Sequence, residues 1–244
     1  MSQIKTTGIV LRGVDFSETS RVITFLTPDR GQVTCMAKGV RRKGSSLGAA
    51  LDTFNHIDMV YYHRDGRDVQ QLGEASLLHR FDGIKANLER SGYGAFPMEL
   101  AWMVSGRNAP SEDLFAVLVQ GLEGLDSWTG DVPTHVAWQV LHLLRVAGFA
   151  PVLDRCVVTH GPVGPTPGFC YESGVVATGQ RADRKLSATG YAALRALEKE
   201  EDVCPALPKA AGAEALAVLY RFARHQLETE FKSMRVIADL FGPV

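Results

Sequence analysis

Net charge is nearly absent from this sequence. Its 244 residues carry 26 Lys and Arg against 27 Asp and Glu, a formal charge of −1. Whole-chain electrostatics therefore point to no nucleic acid or anionic surface, and any argument from charge must be local. Long apolar runs are missing as well: none reaches the ~18 residues of a membrane span. The N-terminus, MSQIKTTGIVLRGVDFSE, has no basic stretch leading into an apolar core and a small-residue cleavage site. A cytoplasmic chain is expected. Cysteine is scarce, and Cys35, Cys156, Cys170 and Cys204 are scattered, which suits a reducing compartment better than a disulfide scaffold.

Catalytic signatures are missing too. There is no Gly-rich P-loop, GxSxG elbow or HExxH helix. Carboxylates stand singly, and Asp65 and Asp68 belong to a turn. The seven histidines make no ligand-spaced group with them. His135 and His142 share a helical face with Trp138 and Leu141 nearby and read as packing. The expectation is a protein that is not an enzyme. What the chain does have is 45% hydrophobic residues, enough for a folded core.

The first third alternates as strands do. Ile4–Val14, Ser20–Thr27 and Gln32–Ala37 are three β-rich runs, the last two joined by the turn Pro28-Asp-Arg-Gly31. Thr53–Tyr62 is a fourth, and Val69–Leu72 a fifth beyond the turn Arg64-Asp-Gly-Arg67. Five short strands in about 75 residues suit a small closed barrel of oligonucleotide-binding or SH3-like shape. From about Leu77 the spacing becomes helical, as in Phe96, Leu100, Met103 and Val104, then Leu114, Val117, Leu118 and Leu122. Ser111 is placed to cap one helix and Ser187 another, while Gly148 stops a helix over Thr134–Ala147. A last helix is expected over Ala213 to about Leu240. The fold class is α+β in two domains: a barrel over 1–80, then an all-α domain over 81–244 with an irregular insert at about 153–182.

Between Arg30 and Leu51 stand Arg30, Lys38, Arg41, Arg42 and Lys43 and no acid. The segment KGVRRKGSS is also rich in Gly and Ser, so its backbone can approach a ligand closely and donate amides to phosphate oxygens. Lys38, Arg41, Arg42 and Lys43 are the central phosphate-binding candidates, and Arg12 and Arg21 in or beside strands extend them. Phe16, Phe25, Phe54, Tyr61 and Tyr62 could stack bases, although alternation assigns most of them to the core. On the late helix, Leu216, Leu219, Tyr220, Ala223, Leu227, Phe231 and Met234 trace an apolar stripe. Arg221, Arg224, Lys232 and Arg235 share another face, with Glu228 four residues before Lys232. In the insert, Cys156, His160 and Cys170 have the outline of a zinc ribbon that has lost partners. Four ligands in two close pairs are normal for structural zinc, so no cofactor is expected and the insert should be packed on Phe169, Tyr171 and Val175.

Collinear segments resemble the RecO family of bacterial DNA repair and recombination mediators. They are Gly8-Ile-Val-Leu-Arg12, Asp15-Phe-Ser-Glu18, Phe25-Leu-Thr27 with Gly31, Ala37-Lys-Gly-Val-Arg-Arg-Lys43, Leu51-x-x-Phe54 with Tyr61-Tyr62, and Leu219-Tyr-Arg221 through Leu227 to Arg235. The resemblance implies an N-terminal OB-fold, a central helical bundle and a zinc-finger-like insert. It implies binding of single- and double-stranded DNA, annealing of complementary strands, and loading of RecA onto strands covered by the single-stranded-DNA-binding protein (SSB). The implied partners are RecR, the C-terminal tail of SSB and, functionally, RecA. Many members carry CxxC pairs in the insert; here Thr159, Ala177 and Gln180 stand in three of those places beside Cys156. Two other readings of the residues are an adaptor that binds peptides without DNA activity and, less in keeping with the missing signatures, a DNA-processing enzyme.

Overall fold

The computed structural model describes residues 2–42, 45, 47–107 and 109–242. Strands β1 (Ser2–Asp15), β2 (Arg21–Thr27), β3 (Gly31–Ala37), β4 (His56–His63) and β5 (Gln70–His79) form a closed barrel in the order β1-β2-β3-β5-β4. β1 is long enough to pair twice. Its first half runs against β4 (Ser2↔His63 to Ile9↔His56) and its second against β2 (Ile9↔Leu26 to Asp15↔Arg21), with a register shift between Val10 and Arg12. A short parallel pairing of β3 with β5, Cys35↔Gln70 and Met36↔Gln71, closes the ring.

Period-2 burial explains the strands. β3 alternates buried and half-buried residues along its whole length. β2 is buried continuously from Ile23 because it is covered on both faces. Ile23 and Phe25 fill the barrel with Val10, Ile57, Met59 and Tyr61, whereas Leu26 joins Ile9, Leu11 and Phe54 in the helical core. The fourth strand begins at His56 rather than Thr53, since Phe54 takes a left-handed turn (φ +76°) that swings its ring outward into that core. β5 continues to His79, so Leu77 lies on a strand and the helical region expected from about Leu77 begins only after it. There Leu77 and Leu78 remain exposed on the strand.

Helices α2 (Asp82–Lys85), α3 (Leu88–Val104), α4 (Glu112–Ser127) and α5 (Val132–Val146) follow, then α6 (Ala188–Lys199), α7 (Lys209–Gln226) and α8 (Lys232–Phe241), a one-turn helix α1 (Leu47–Ala50) lying earlier in the barrel. α5 is buried on nearly every side, the mark of a central helix, and α3, α4, α6 and α7 surround it. Close approaches are made at glycines: Gly121 of α4 lies on Gln139, and Gly212 of α7 lies on Thr134. The insert forms a three-stranded sheet, order β7-β6-β8, from β6 (Gly168–Cys170), β7 (Gly174–Val176) and β8 (Arg184–Lys185). Phe169 of β6 packs edge-on against Phe222 of α7.

Two local expectations fail for physical reasons. Ser187 caps α6, accepting from Gly190 N at 2.9 Å, whereas Ser111 stands at the N-cap of α4 but its side chain makes no capping hydrogen bond. Its hydroxyl donates to Ala109 O and its amide to Pro28 O at 2.9 Å, tying the β2–β3 turn to the helical domain. The same turn is fastened by Gln32 N to Gly106 O (2.9 Å) and Gln32 Nε2 to Ser105 O (2.8 Å). The late helix is also two helices rather than one. Glu228 turns left-handed (φ +48°), and Glu99 accepts from the Lys232 and Ser233 amides (3.0 and 2.8 Å) to start α8. The apolar stripe of residues 216–234 is thus divided, and Glu228 and Lys232 form no helical pair.

Candidate nucleic-acid interface

At one end of the barrel two loops are bound together. The β1–β2 turn is a tight one, with Phe16 N and Ser17 N both donating to Ser20 O at 3.0 and 3.3 Å. The loop after β3 turns at Gly39 (φ +68°), where Arg42 N donates to Gly39 O at 3.0 Å. Arg41 joins the two: its amide donates to Thr19 O (3.1 Å) and its Nη1 to Ser17 O (3.2 Å). Val40 is buried and anchors the loop, leaving Lys38, Arg41 and Arg42 exposed. The backbone over Lys38–Arg42 is therefore held at a defined place, with the side chains of Lys38, Arg41 and Arg42 exposed.

Charge at this end is partly paired. Asp15 stands 3.2 Å from Arg21 Nε and 3.2 Å from Arg41 Nη1, one carboxylate shared by two guanidiniums. Lys38 and Arg42 make no ion pair among the described residues. Lys43 lies outside the described residues. Arg21, Lys38, Arg41 and Arg42 face two carboxylates, Asp15 and exposed Glu18, which leaves two positive charges in excess. Beside them Phe16 is 68% exposed and Val14 55%. Phe16 precedes Ser17, whose carbonyl holds Arg41, so an exposed aromatic ring stands beside an exposed guanidinium, an arrangement suited to a base and its phosphate. Phe25 and Tyr61, by contrast, are barrel core.

Arg12 lies further along β1 on the outside of the barrel. Its guanidinium carbon is 4.7 Å from the centroid of the Trp102 ring on α3. Lys232, at the start of α8, lines the same groove as Arg12, so one of the late basic residues sits beside the barrel. Arg235 is exposed on α8. Arg221 and Arg224 belong to α7, and Arg224 is held by Glu230 at 3.1 Å. The four late cations thus form no single face. Phe16 was visible in the sequence only as one of several aromatics, and Trp102 carried no signal at all within an apolar helical run.

The insert does not bring its three candidate ligands together. Buried Cys156 accepts backbone hydrogen bonds from Thr159 (3.4 Å) and Ala177 (3.2 Å). The Thr159 side chain and then these amides, against the effect of burial, lower its thiol to about 7. Cys170 points its sulfur at Arg181 O, and burial raises its pKa. His160 is exposed on a left-handed turn. Among the described residues no three His, Cys, Asp or Glu side chains are placed to hold a metal ion. The turns 156–159 and 177–180 face each other as two metal-binding knuckles do, but Thr159, Ala177 and Gln180 supply no thiolates, so the donor set does not fit zinc. His135 and His142 are buried, their Nε2 atoms directed at the carbonyls of Gly121 (2.8 Å) and Leu197 (3.1 Å).

Comparison with known proteins bears on this geometry. Residues 1–81 match the model of the Recombination protein O N-terminal family, and residues 85–235 the Recombination protein O C-terminal family. The chain is 32% identical to the DNA repair protein RecO of Anaeromyxobacter sp. (strain K) over 255 residues, covering 100% of this chain and 99% of the relative. It is 27% identical to the DNA repair protein RecO of Salinibacter ruber over 248 residues, covering 99% and 95%.

Proposed function

The chain belongs to the RecO family, and from that premise we propose that it is a DNA-binding recombination mediator acting in the cytoplasm in recombinational repair. In this reading the barrel is an OB-fold, and the protein anneals complementary single strands and helps load RecA onto SSB-coated DNA, with RecR and the C-terminal tail of SSB as partners. No helix among the described residues is long and apolar enough to cross a membrane. The observation that carries the proposal is the basic loop docked through Arg41 onto the β1–β2 turn that bears exposed Phe16, with Lys38, Arg41 and Arg42 exposed on that loop.

Annealing follows from charge. Phosphate repulsion opposes the approach of two strands, and a cationic surface that neutralises phosphates without reading base edges lets complementary strands meet. Stacking on Phe16 holds bases unpaired and available, and is tolerant of sequence because every base has a π-face. Such a protein needs no bond-making residue, and we assign it no enzymatic activity.

The test replaces Lys38, Arg41 and Arg42 together with Ala. Each phosphate contact on a single strand contributes about −0.7 to the slope of log K against log salt. The triple variant is expected to flatten that slope by about 2 and to slow annealing at every sequence. Unchanged slope and annealing rate in a variant that melts like the parent would overturn the assignment. EDTA is expected to leave annealing intact, and metal-dependent cleavage of DNA would restore the enzyme reading.

A further inference from the structure

We propose that the groove between β1, α3 and α8 is a base-holding subsite for single-stranded DNA, where a nucleobase stacks on the Trp102–Arg12 pair and a neighbouring phosphate meets Lys232. The inference rests on the DNA-binding reading above and adds a second place where the strand is held. The groove has a volume of about 550 Å³, in the range that takes small organic groups. Its walls are Leu11, Phe54, Met98, Met103 and Val236 around half-buried Trp102.

Its charge selects the occupant. Two acids line the groove, and both are already engaged. Glu99 accepts from the amides of Lys232 and Ser233 and from Ser233 Oγ (2.7 Å), and Glu230 is paired with Arg224. Arg12 and Lys232 make no ion pair among the described residues. An apolar floor with two available cations at its rim matches an aromatic group attached to an anion. The Arg12 guanidinium lies over the Trp102 ring, 4.7 Å from its centroid, and an aromatic–guanidinium pair is a surface on which a planar base can stack.

Position favours a nucleotide over a peptide. Arg12 is three residues before Asp15 on β1, roughly 10 Å along the strand, so a chain of a few nucleotides reaches from the Asp15–Arg41 cluster to the groove.

The test compares binding of a dT oligomer and an abasic oligomer of equal length, at one salt concentration, to the parent and to Trp102→Ala. The parent is expected to prefer dT. The variant is expected to lose about 5-fold or more in affinity for dT while its affinity for the abasic strand stays within about 2-fold, with Trp102→Phe restoring most of the loss. Arg12→Gln, a change at an exposed position, is expected to shrink the dT preference too and serves if the Trp102 variant does not fold. An undiminished dT preference in these variants overturns the subsite while leaving the DNA reading intact. Failure of the parent to bind either oligomer at low salt overturns both. Trp102-dependent binding of an acidic, apolar peptide, with dT and abasic strands bound alike, overturns the base assignment and gives the groove to a protein partner.

Discussion

Replacing Asp15 with Asn should make the protein bind DNA more tightly and more salt-sensitively. The carboxylate lies 3.2 Å from both Arg21 and Arg41 and is itself 57% exposed. Exposed pairs of this kind contribute little to stability, so the fold should tolerate the change, and the Asn oxygen can still accept a hydrogen bond. What changes is the balance at the loop, from four cations against two acids to four against one. A carboxylate held about 5 Å from a bound phosphate repels it by roughly 0.8 kcal/mol in water. Screening at 0.1 M salt reduces this, so the expected gain in affinity is about 2- to 4-fold. One more phosphate neutralised steepens the slope by about 0.7, and the advantage of the variant should shrink about 2.6-fold between 50 and 200 mM salt. Fluorescence anisotropy with a labelled dT oligomer across that range reads both quantities. Equal or weaker binding with an unchanged slope, in a variant of unchanged melting temperature, would refute the view that Asp15 restrains two phosphate-binding arginines.

Two further predictions concern the helical domain. Gly212→Ala puts a methyl group against Thr134 where α7 crosses α5, and Gly121→Ala does the same against Gln139; each should destabilise by about 1–3 kcal/mol in urea unfolding, with DNA affinity of the folded protein unchanged. Burial lowers the pKa of His135, and burial followed by the nearby Arg145 lowers that of His142. The unfolded chain takes up these protons near pH 6.5 and the folded chain does not, so stability should be complete above that pH and fall as the pH drops toward 5. His135 Nδ1 has no hydrogen-bond partner, and protonating it would bury an unsatisfied cation. Changing both histidines to Gln should flatten the pH dependence of the melting temperature, and an unaltered dependence would assign it to other groups.

Much of this architecture was legible in the residues. Strand alternation marked all five barrel strands, because a side-chain period of two is imposed locally by the pleat. The cationic loop stood out because its surroundings hold no acid nearby in sequence, and Ser187 and Gly148 marked helix ends by chemistry that acts within one turn. The break between α7 and α8 was not legible. Nothing in residues 227–231 stops a helix as Pro would; Glu99, more than a hundred residues earlier, captures the amides that open α8.

The sequence by itself determined the elements and the types of side chain available for DNA. It did so because propensity, alternation and turn chemistry depend on neighbours a few residues away. Tertiary structure alone decided which cations are exposed and which are engaged. Asp15 engages Arg21 and Arg41, Glu230 engages Arg224, and the Arg12 side chain reaches from β1 over the Trp102 ring of α3. The same holds for Phe16: identical alternation puts Phe25 in the core and Phe16 in water, because β1 ends at Asp15 and the next residue begins the turn. Charge and aromaticity are properties of residues, but whether a phosphate or a base can reach them depends on long-range packing.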